Sequence, residues 1–318
     1  MPGVGQTPVL VEVVRSGFVE SRHCGSVVAL SADGTVAFSQ GVPDKPTLPR
    51  SSNKPMQAVA MLRSGLDLAG ELLALACASH SGEPMHLDGV RRILAAAGLN
   101  ETDLQTPPDY PVDEVEKLAY AAAGGTATPL AMNCSGKHAA MLATCVHNGW
   151  PTGTYRAAEH PLQQAVRTTI EELAGEKVAT TGVDGCGAPV FGLTLTGLAR
   201  AFRAIALAAP GTAEHRVAEA IRQHPQWLGG SRRDVSRLVE GVPGLIAKDG
   251  AEGVYAAALP DGRAVALKID DGTQRARPPV MSAALSRLGV EAAVLDELAS
   301  GVLLGGGQPV GDVRFAGW

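Results

Sequence analysis

The chain has 318 residues, of which 45% are apolar and 19% charged, so it holds ample material for a buried core and is not a disordered chain. Lys and Arg number 27 against 32 Asp and Glu, a net charge of −5, which implies no basic patch and argues against nucleic acid as a partner. Five cysteines, Cys24, Cys77, Cys134, Cys145 and Cys186, are too few and too scattered for a disulfide framework.

Val9–Val14 is β-branched and predicts a strand. Ser26–Leu30 and Thr35–Phe38 flank Ser31-Ala32-Asp33-Gly34 and predict a hairpin with Asp-Gly at its turn. After the Pro-rich loop ending at Arg50, Lys54–Leu62 predicts a helix with Pro55 in its first turn. Glu71–Ala78 and Leu87–Ala97 predict two more helices, and residues 110–126 read as helical and then Gly-rich. Lys137–His147 predicts a helix closed by Asn148-Gly149, and Pro161 opens another to Ala174. Leu193–Ala208 predicts the next. The period then switches to two, with a hairpin of Gly253–Leu259 and Arg263–Ile269 across Pro260-Asp261-Gly262. Pro278 and Pro279 open a last helix to Leu288.

The order of strands, helical middle, strands and terminal helix predicts an α+β fold of the α/β sandwich type. Its antiparallel sheet is built from both chain ends. With no repeat, linker or break in composition, residues 1–318 read as a single domain with a helical insertion in the middle. The longest uncharged stretch, Leu118–Gly136, is broken by Gly124, Gly125, Pro129 and Asn133 and is no membrane span. Residues 1–17 lack a basic start followed by an apolar run, so the expectation is a soluble, cytoplasmic protein without a secretory signal.

Five segments carry candidate chemistry. Arg50-Ser51-Ser52-Asn53-Lys54-Pro55 contains Ser-x-x-Lys at a helix start, where positions i and i+3 share a face. A desolvated Lys54 there would serve as general base for Ser51, although Ser-x-x-Lys also arises by chance in long chains. Cys77-Ala78-Ser79-His80-Ser81-Gly82-Glu83-Pro84 puts polar and small residues directly after an apolar helix, which reads as a functional loop or as an ordinary helix-to-loop turn.

Asn133-Cys134-Ser135-Gly136-Lys137-His138 and Val183-Asp184-Gly185-Cys186-Gly187-Ala188-Pro189 each hold a Cys beside small residues. The two thiols read as inert core groups or as soft metal ligands, and two alone do not make a structural zinc site. Lys248-Asp249-Gly250 enters a strand as the late Lys-[Ser/Thr]-Gly of serine β-lactamases and penicillin-binding proteins does, with Asp249 as a departure. Its plain reading is a solvated loop lysine.

Taken together, these segments resemble the rhizobial-type (thermolabile, class-three) L-asparaginases. The resemblance also draws on Arg15-Ser16-Gly17, on Val19-Glu20-Ser21-Arg22-His23 and on Leu267-Lys268-Ile269-Asp270-Asp271-Gly272. The matching segments fall in the family's order and span Arg15 to Gly272. The chain departs from the family between Lys54 and Ser79 and near the C-terminus, where Gly305-Gly306-Gly307 replaces a more polar segment.

The resemblance implies a serine β-lactamase-like fold, a homodimer, and hydrolysis of L-asparagine to L-aspartate and ammonia. It implies two Ser/Lys pairs, with Ser51 as nucleophile and Lys54 as its base, and with Ser79 and Lys248 completing the proton path. Arg50 and Asp184 would grip the substrate's α-carboxylate and α-ammonium, and His138 would line the pocket. Cys134, Lys137 and Cys186 would hold a zinc that modulates rather than performs the reaction. Such a lysine must be neutral to bind. Two other readings stay open on sequence grounds: a β-lactamase or peptidase of the same fold, and a non-catalytic amino-acid sensor that keeps the pocket.

Overall fold

A computed structural model describes residues 7–318. Residues 1–6, part of the stretch read above for a secretory signal, lie outside the described residues. Strand β1 (Val9–Arg15) turns into β2 (Phe18–Leu30) through Ser16 and Gly17, both at positive φ. Strand β3 (Val36–Gln40) folds back on β2. Asp33 Oδ1 fixes that turn by accepting from the Thr35 amide at 2.9 Å and the Thr35 hydroxyl at 2.7 Å.

The helical middle comprises α1 (Lys54–Arg63), α2 (Gly70–Ala76), α3 (Pro84–Ala96), α4 (Glu114–Ala122), α5 (Ser135–Asn148) and α6 (Pro161–Ala174). A two-stranded sheet, β4 (Thr180–Val183) with β5 (Pro189–Gly192), leads to α7 (Leu195–Ala206). Next come α8 (Ala213–Gln223), α9 (Pro225–Leu228) and α10 (Asp234–Gly241). Strands β6 (Ile246–Asp249), β7 (Val254–Ala258) and β8 (Ala264–Ile269) follow, then α11 (Arg277–Arg287) and α12 (Ala293–Leu298). The chain ends in a hairpin of β9 (Ser300–Gly305) and β10 (Gln308–Phe315).

The main sheet runs β6-β7-β8-β2-β1-β10-β9, antiparallel at every pairing, with β3 also on β2. It is built from both chain ends, as the element order predicts. Helices α7 and α11 both pack on β8. All but one residue of β8 are buried, so the sheet lies between the two helices. On α7, Leu198, Phe202 and Ile205 repeat at helical spacing and are fully buried. Phe202→Ala would cost about 3–5 kcal/mol.

Two features differ from the sequence reading. The chain does not end in a helix, because α12 and the β9–β10 hairpin follow α11. That hairpin is not predicted because no residue of β9 is fully buried and its inward face is only Gly301 and the part-buried Leu303, although Gly306 and Gly307 at positive φ make a known hairpin turn. Helix α3 begins at Pro84 rather than Leu87, since Glu83 and His86 form a reciprocal cap. Among the described residues, no helix is long and apolar enough to cross a membrane.

Candidate active site

The Ser-x-x-Lys segment enters α1 through a tight turn. Arg50 sits at φ 51°, a left-handed conformation that costs a non-glycine residue roughly 1–2 kcal/mol, and Arg50–Asn53 then form a single 3-10 turn. Helix α1 is buried from Lys54 to Leu62 because α5, α6 and α8 pack around it. Lys54 is therefore fully buried. Its Nζ donates to Ala78 O, to Ser79 Oγ at 3.0 Å and to Cys134 Sγ at 3.1 Å.

An ammonium has three donors, and these three acceptors take all of them. Lys54 thus hydrogen-bonds Ser79, and among the described residues no hydrogen bond joins it to Ser51. Ser51 is part-exposed, while Ser52 is buried and donates to Pro49 O at 2.7 Å.

The loop after α2 is pinned on both sides. Ser79 N donates to Leu228 O at 3.1 Å, His80 N to Asn133 O at 3.1 Å and Ser81 N to Gly229 O at 2.7 Å. These bonds hold Ser79, only 5% exposed, against Lys54. The segment is a braced loop rather than a free turn.

Lys248 is fully buried on β6, so the solvated-lysine reading is wrong. Its Nζ donates to Asp249 O at 2.9 Å and to the Asp249 carboxylate. Burial lowers its pKa to about 8, while Asp249 pulls it upward and Lys54 pushes it down further. Among the described residues, no hydrogen bond joins Lys248 directly to Ser79.

Gly250 explains how this strand reaches the Ser51 turn. A Cβ there would lie 2.6 Å from Pro49 O and 3.3 Å from Ser52 N. Only glycine permits that approach.

The two thiol segments meet. Cys134 Sγ donates to Asn133 Oδ1 at 3.2 Å, and the neighbouring Cys186 thiol raises the Cys134 pKa while Cys134 in turn depresses that of Cys186. Lys137 Nζ donates to Cys186 Sγ at 3.1 Å. Lys137 is pushed down by its burial, but the neighbouring thiol charge outweighs this and holds it as an ammonium. His138 donates to or accepts from Tyr155 OH at 2.6 Å, and burial lowers its pKa to about 4, so it is neutral. Cys77 and Cys145 are inert core thiols, raised by burial to about 12 and about 11. Cys24 is only half-buried.

Arg50 Nε donates to Asp184 Oδ1 at 2.7 Å, and Arg50 Nη1 lies 3.8 Å from Glu252. The two residues expected to grip substrate are thus neighbours at the part-exposed side of the Ser51 turn. Sequence reasoning missed Arg233, Arg277 and Tyr155, which contact Asp249 and His138. No short motif contains them, and only the fold brings them to the site.

The arrangement can move protons between hydroxyls and buried amines while a guanidinium and a carboxylate face outward. The chain is similar to solved structures of a β-lactamase from Mycobacterium bovis and of a Bacillus glutaminase. For the first, identity is 15%, coverage is 83% of this chain and 94% of that one, and the TM-score is 0.46. For the second, the corresponding figures are 11%, 84%, 91% and 0.47. A Streptomyces DD-transpeptidase gives 13% identity, 83% and 96% coverage and a TM-score of 0.44. TM-scores below 0.5 leave these likenesses without weight for the argument. No curated protein matches the sequence. The model of the L-asparaginase II family matches residues 11–315, nearly the whole length. The chain belongs to the L-asparaginase II family.

Proposed function

We propose that this protein hydrolyses L-asparagine to L-aspartate and ammonia through a covalent intermediate on Ser51. The observation that carries the reading is the buried Lys54 amine, held between Ser79 Oγ and Cys134 Sγ at the start of the helix that follows Ser51. An amide is a poor electrophile with a poor leaving group, so acylation followed by hydrolysis divides one hard step into two easier ones.

Arg50 would bind the α-carboxylate and Asp184 the α-ammonium. Substrate would then replace the ion pair that the two side chains make with each other. His138, held neutral against Tyr155, would line the pocket. Ser51 Oγ attacks the carboxamide carbon and passes its proton to neutral Lys54. The C–N bond breaks as that proton returns to the departing nitrogen, which leaves as ammonia. Water then attacks the ester, its proton passing by way of the Ser79 hydroxyl and the Lys248 amine to Ser51 Oγ as the C–O bond to Ser51 breaks and L-aspartate leaves. A lysine poised near pH 8 suits that task.

Two sulfurs and one amine form a donor set that suits zinc and leaves one position open. Cys134, Cys186 and Lys137 would hold the ion once Lys137 gives up its proton. Among the described residues, no three His, Cys, Asp or Glu side chains gather as a metal site, so the lysine is needed to complete the set. When bound, the ion would supply a fixed positive charge beside Lys54. The homodimer and the cytoplasmic location belong to the same proposal.

The test is coupled ammonia detection on the purified protein with L-asparagine, L-glutamine and D-asparagine, with and without chelator. L-Asparagine turnover is expected in both arms. Turnover of a chromogenic β-lactam without asparagine hydrolysis would favour a β-lactamase or peptidase. Binding of asparagine without turnover of any substrate would favour a sensor.

A further inference from the structure

Asp249 stands where the Lys-[Ser/Thr]-Gly pattern carries a hydroxyl, and the reaction outlined above leaves it without a role. It is buried, with a side chain only 4% exposed, and its two oxygens are divided. Oδ1 accepts from Lys248 Nζ. Oδ2 accepts from Arg233 Nη2 at 2.6 Å and from Arg277 Nη1 at 3.3 Å. Arg277 Nη1 also donates to Gly250 O at 2.7 Å, and its guanidinium lies 5.7 Å from the Tyr255 ring centroid. The clamp therefore holds both the side chain beside Lys248 and the backbone of the glycine that meets the Ser51 turn.

We infer that Asp249, gripped by Arg233 and Arg277, is a positioning residue that fixes the Lys248 amine and keeps its proton exchangeable by sharing one carboxylate among three cations. The inference rests on the hydrolase reading above. Both guanidiniums stay protonated at any working pH, so they draw carboxylate charge away from the lysine. A carboxylate facing Lys248 alone would hold it as a firm ammonium and remove it as a base.

The groups that face Lys248 come from several elements. They are Asp249 on its own strand, Lys54 from α1, Arg233 at the entry to α10 and Cys77 at the end of α2. Asp234, Tyr255 and Arg277 complete the surroundings of Asp249.

The test follows the Lys248 amine by NMR of protein labelled with 13Cε-lysine, with the Lys248→Met spectrum giving the assignment. Asp249→Asn is expected to move the Lys248 midpoint down by about one unit or more, and Arg233→Met to move it up. Opposite shifts are not the result of a merely structural role. With L-asparagine, Asp249→Asn is expected to lower kcat about tenfold or more at nearly constant KM, and its acid limb should follow the midpoint. Asp249→Glu is expected to restore the midpoint and part of kcat. If Asp249→Asn does not fold, Arg233→Met and Asp249→Glu still decide the matter. A Lys248 midpoint that stays put in both folded variants, or moves the same way in both, overturns the inference. Absence of ammonia release by the wild type overturns the hydrolase reading instead, and the titration still decides where Asp249 acts.

Discussion

Lys54 Nζ lies 3.1 Å from Cys134 Sγ, which joins the Ser/Lys centre to the thiol pair. Cys134 in turn neighbours Cys186 and shifts its charge, and Cys186 accepts from Lys137 at 3.1 Å. One buried run of polar contacts thus leads from Ser79 through Lys54 to Lys137, and a change at either end is felt at the other through short, poorly screened contacts.

The first consequence concerns the metal. Zinc bound by Cys134, Cys186 and Lys137 should be found by elemental analysis of the wild type and lost in Cys134→Ser. Chelation is expected to raise KM for L-asparagine while turnover continues. Complete loss of turnover on chelation would put the metal in the chemistry itself.

Lys248 sets the second. Its pKa is lowered from the usual lysine value to about 8, mainly by burial, so the amine gains its neutral, basic form as pH rises through about 8. The rate should climb over that range and flatten above it. Lys248→Met keeps the apolar stem and should cost about 10²–10⁴-fold in kcat while removing that limb. A pH–rate profile of both proteins checks this, and a Met variant within about threefold of the parent, under roughly 0.7 kcal/mol, would contradict the role.

Recognition of the substrate's ends gives the third. Asp184 now accepts from Arg50 at 2.7 Å, so Asp184→Asn removes the partner proposed for the α-ammonium and leaves the guanidinium in place. KM for L-asparagine is expected to rise about tenfold or more, a loss of roughly 1.4 kcal/mol, with kcat changed less. An unchanged KM in initial-rate measurements would remove Asp184 from the binding site.

Much of this fold was legible because its signals are local. The Asp33-Gly34 turn, the Pro-opened α6 and α11 and the alternation of β7 and β8 all lie within short windows of sequence. The β9–β10 hairpin was not, since β9 turns only Gly301 and the part-buried Leu303 inward. At the site, the segments around Ser51, Ser79, Cys134 and Lys248 stood out as short motifs, and the fold brings them together. Which lysine bonds which serine was not legible. Lys54 turns to Ser79 because the loop from Ser79 to Ser81 is pinned by Leu228, Asn133 and Gly229, all remote in sequence. The Arg233–Asp249–Arg277 clamp was hidden for the same reason.

Gly250 supplies the fourth prediction. A methyl group there would press on Pro49 O from 2.6 Å and drive β6 away from the Ser51 turn. Gly250→Ala is expected to destabilise the protein by about 1–3 kcal/mol, and to reduce kcat well beyond what the folded fraction explains. Thermal melts beside kcat at a temperature where the variant is folded separate the two effects. Full activity in the folded variant would show that the close approach does not matter.

The most direct test of the account is to find the acyl group. The wild type and Ser79→Ala are mixed with excess L-asparagine, quenched in acid and digested, and the peptides are read by tandem mass spectrometry. A β-aspartyl ester on the peptide holding Ser51 is expected, more abundant in Ser79→Ala if Ser79 helps hydrolyse it, and absent from Ser51→Ala. An ester on Ser79 instead, or full ammonia release by a folded Ser51→Ala protein, would contradict the account.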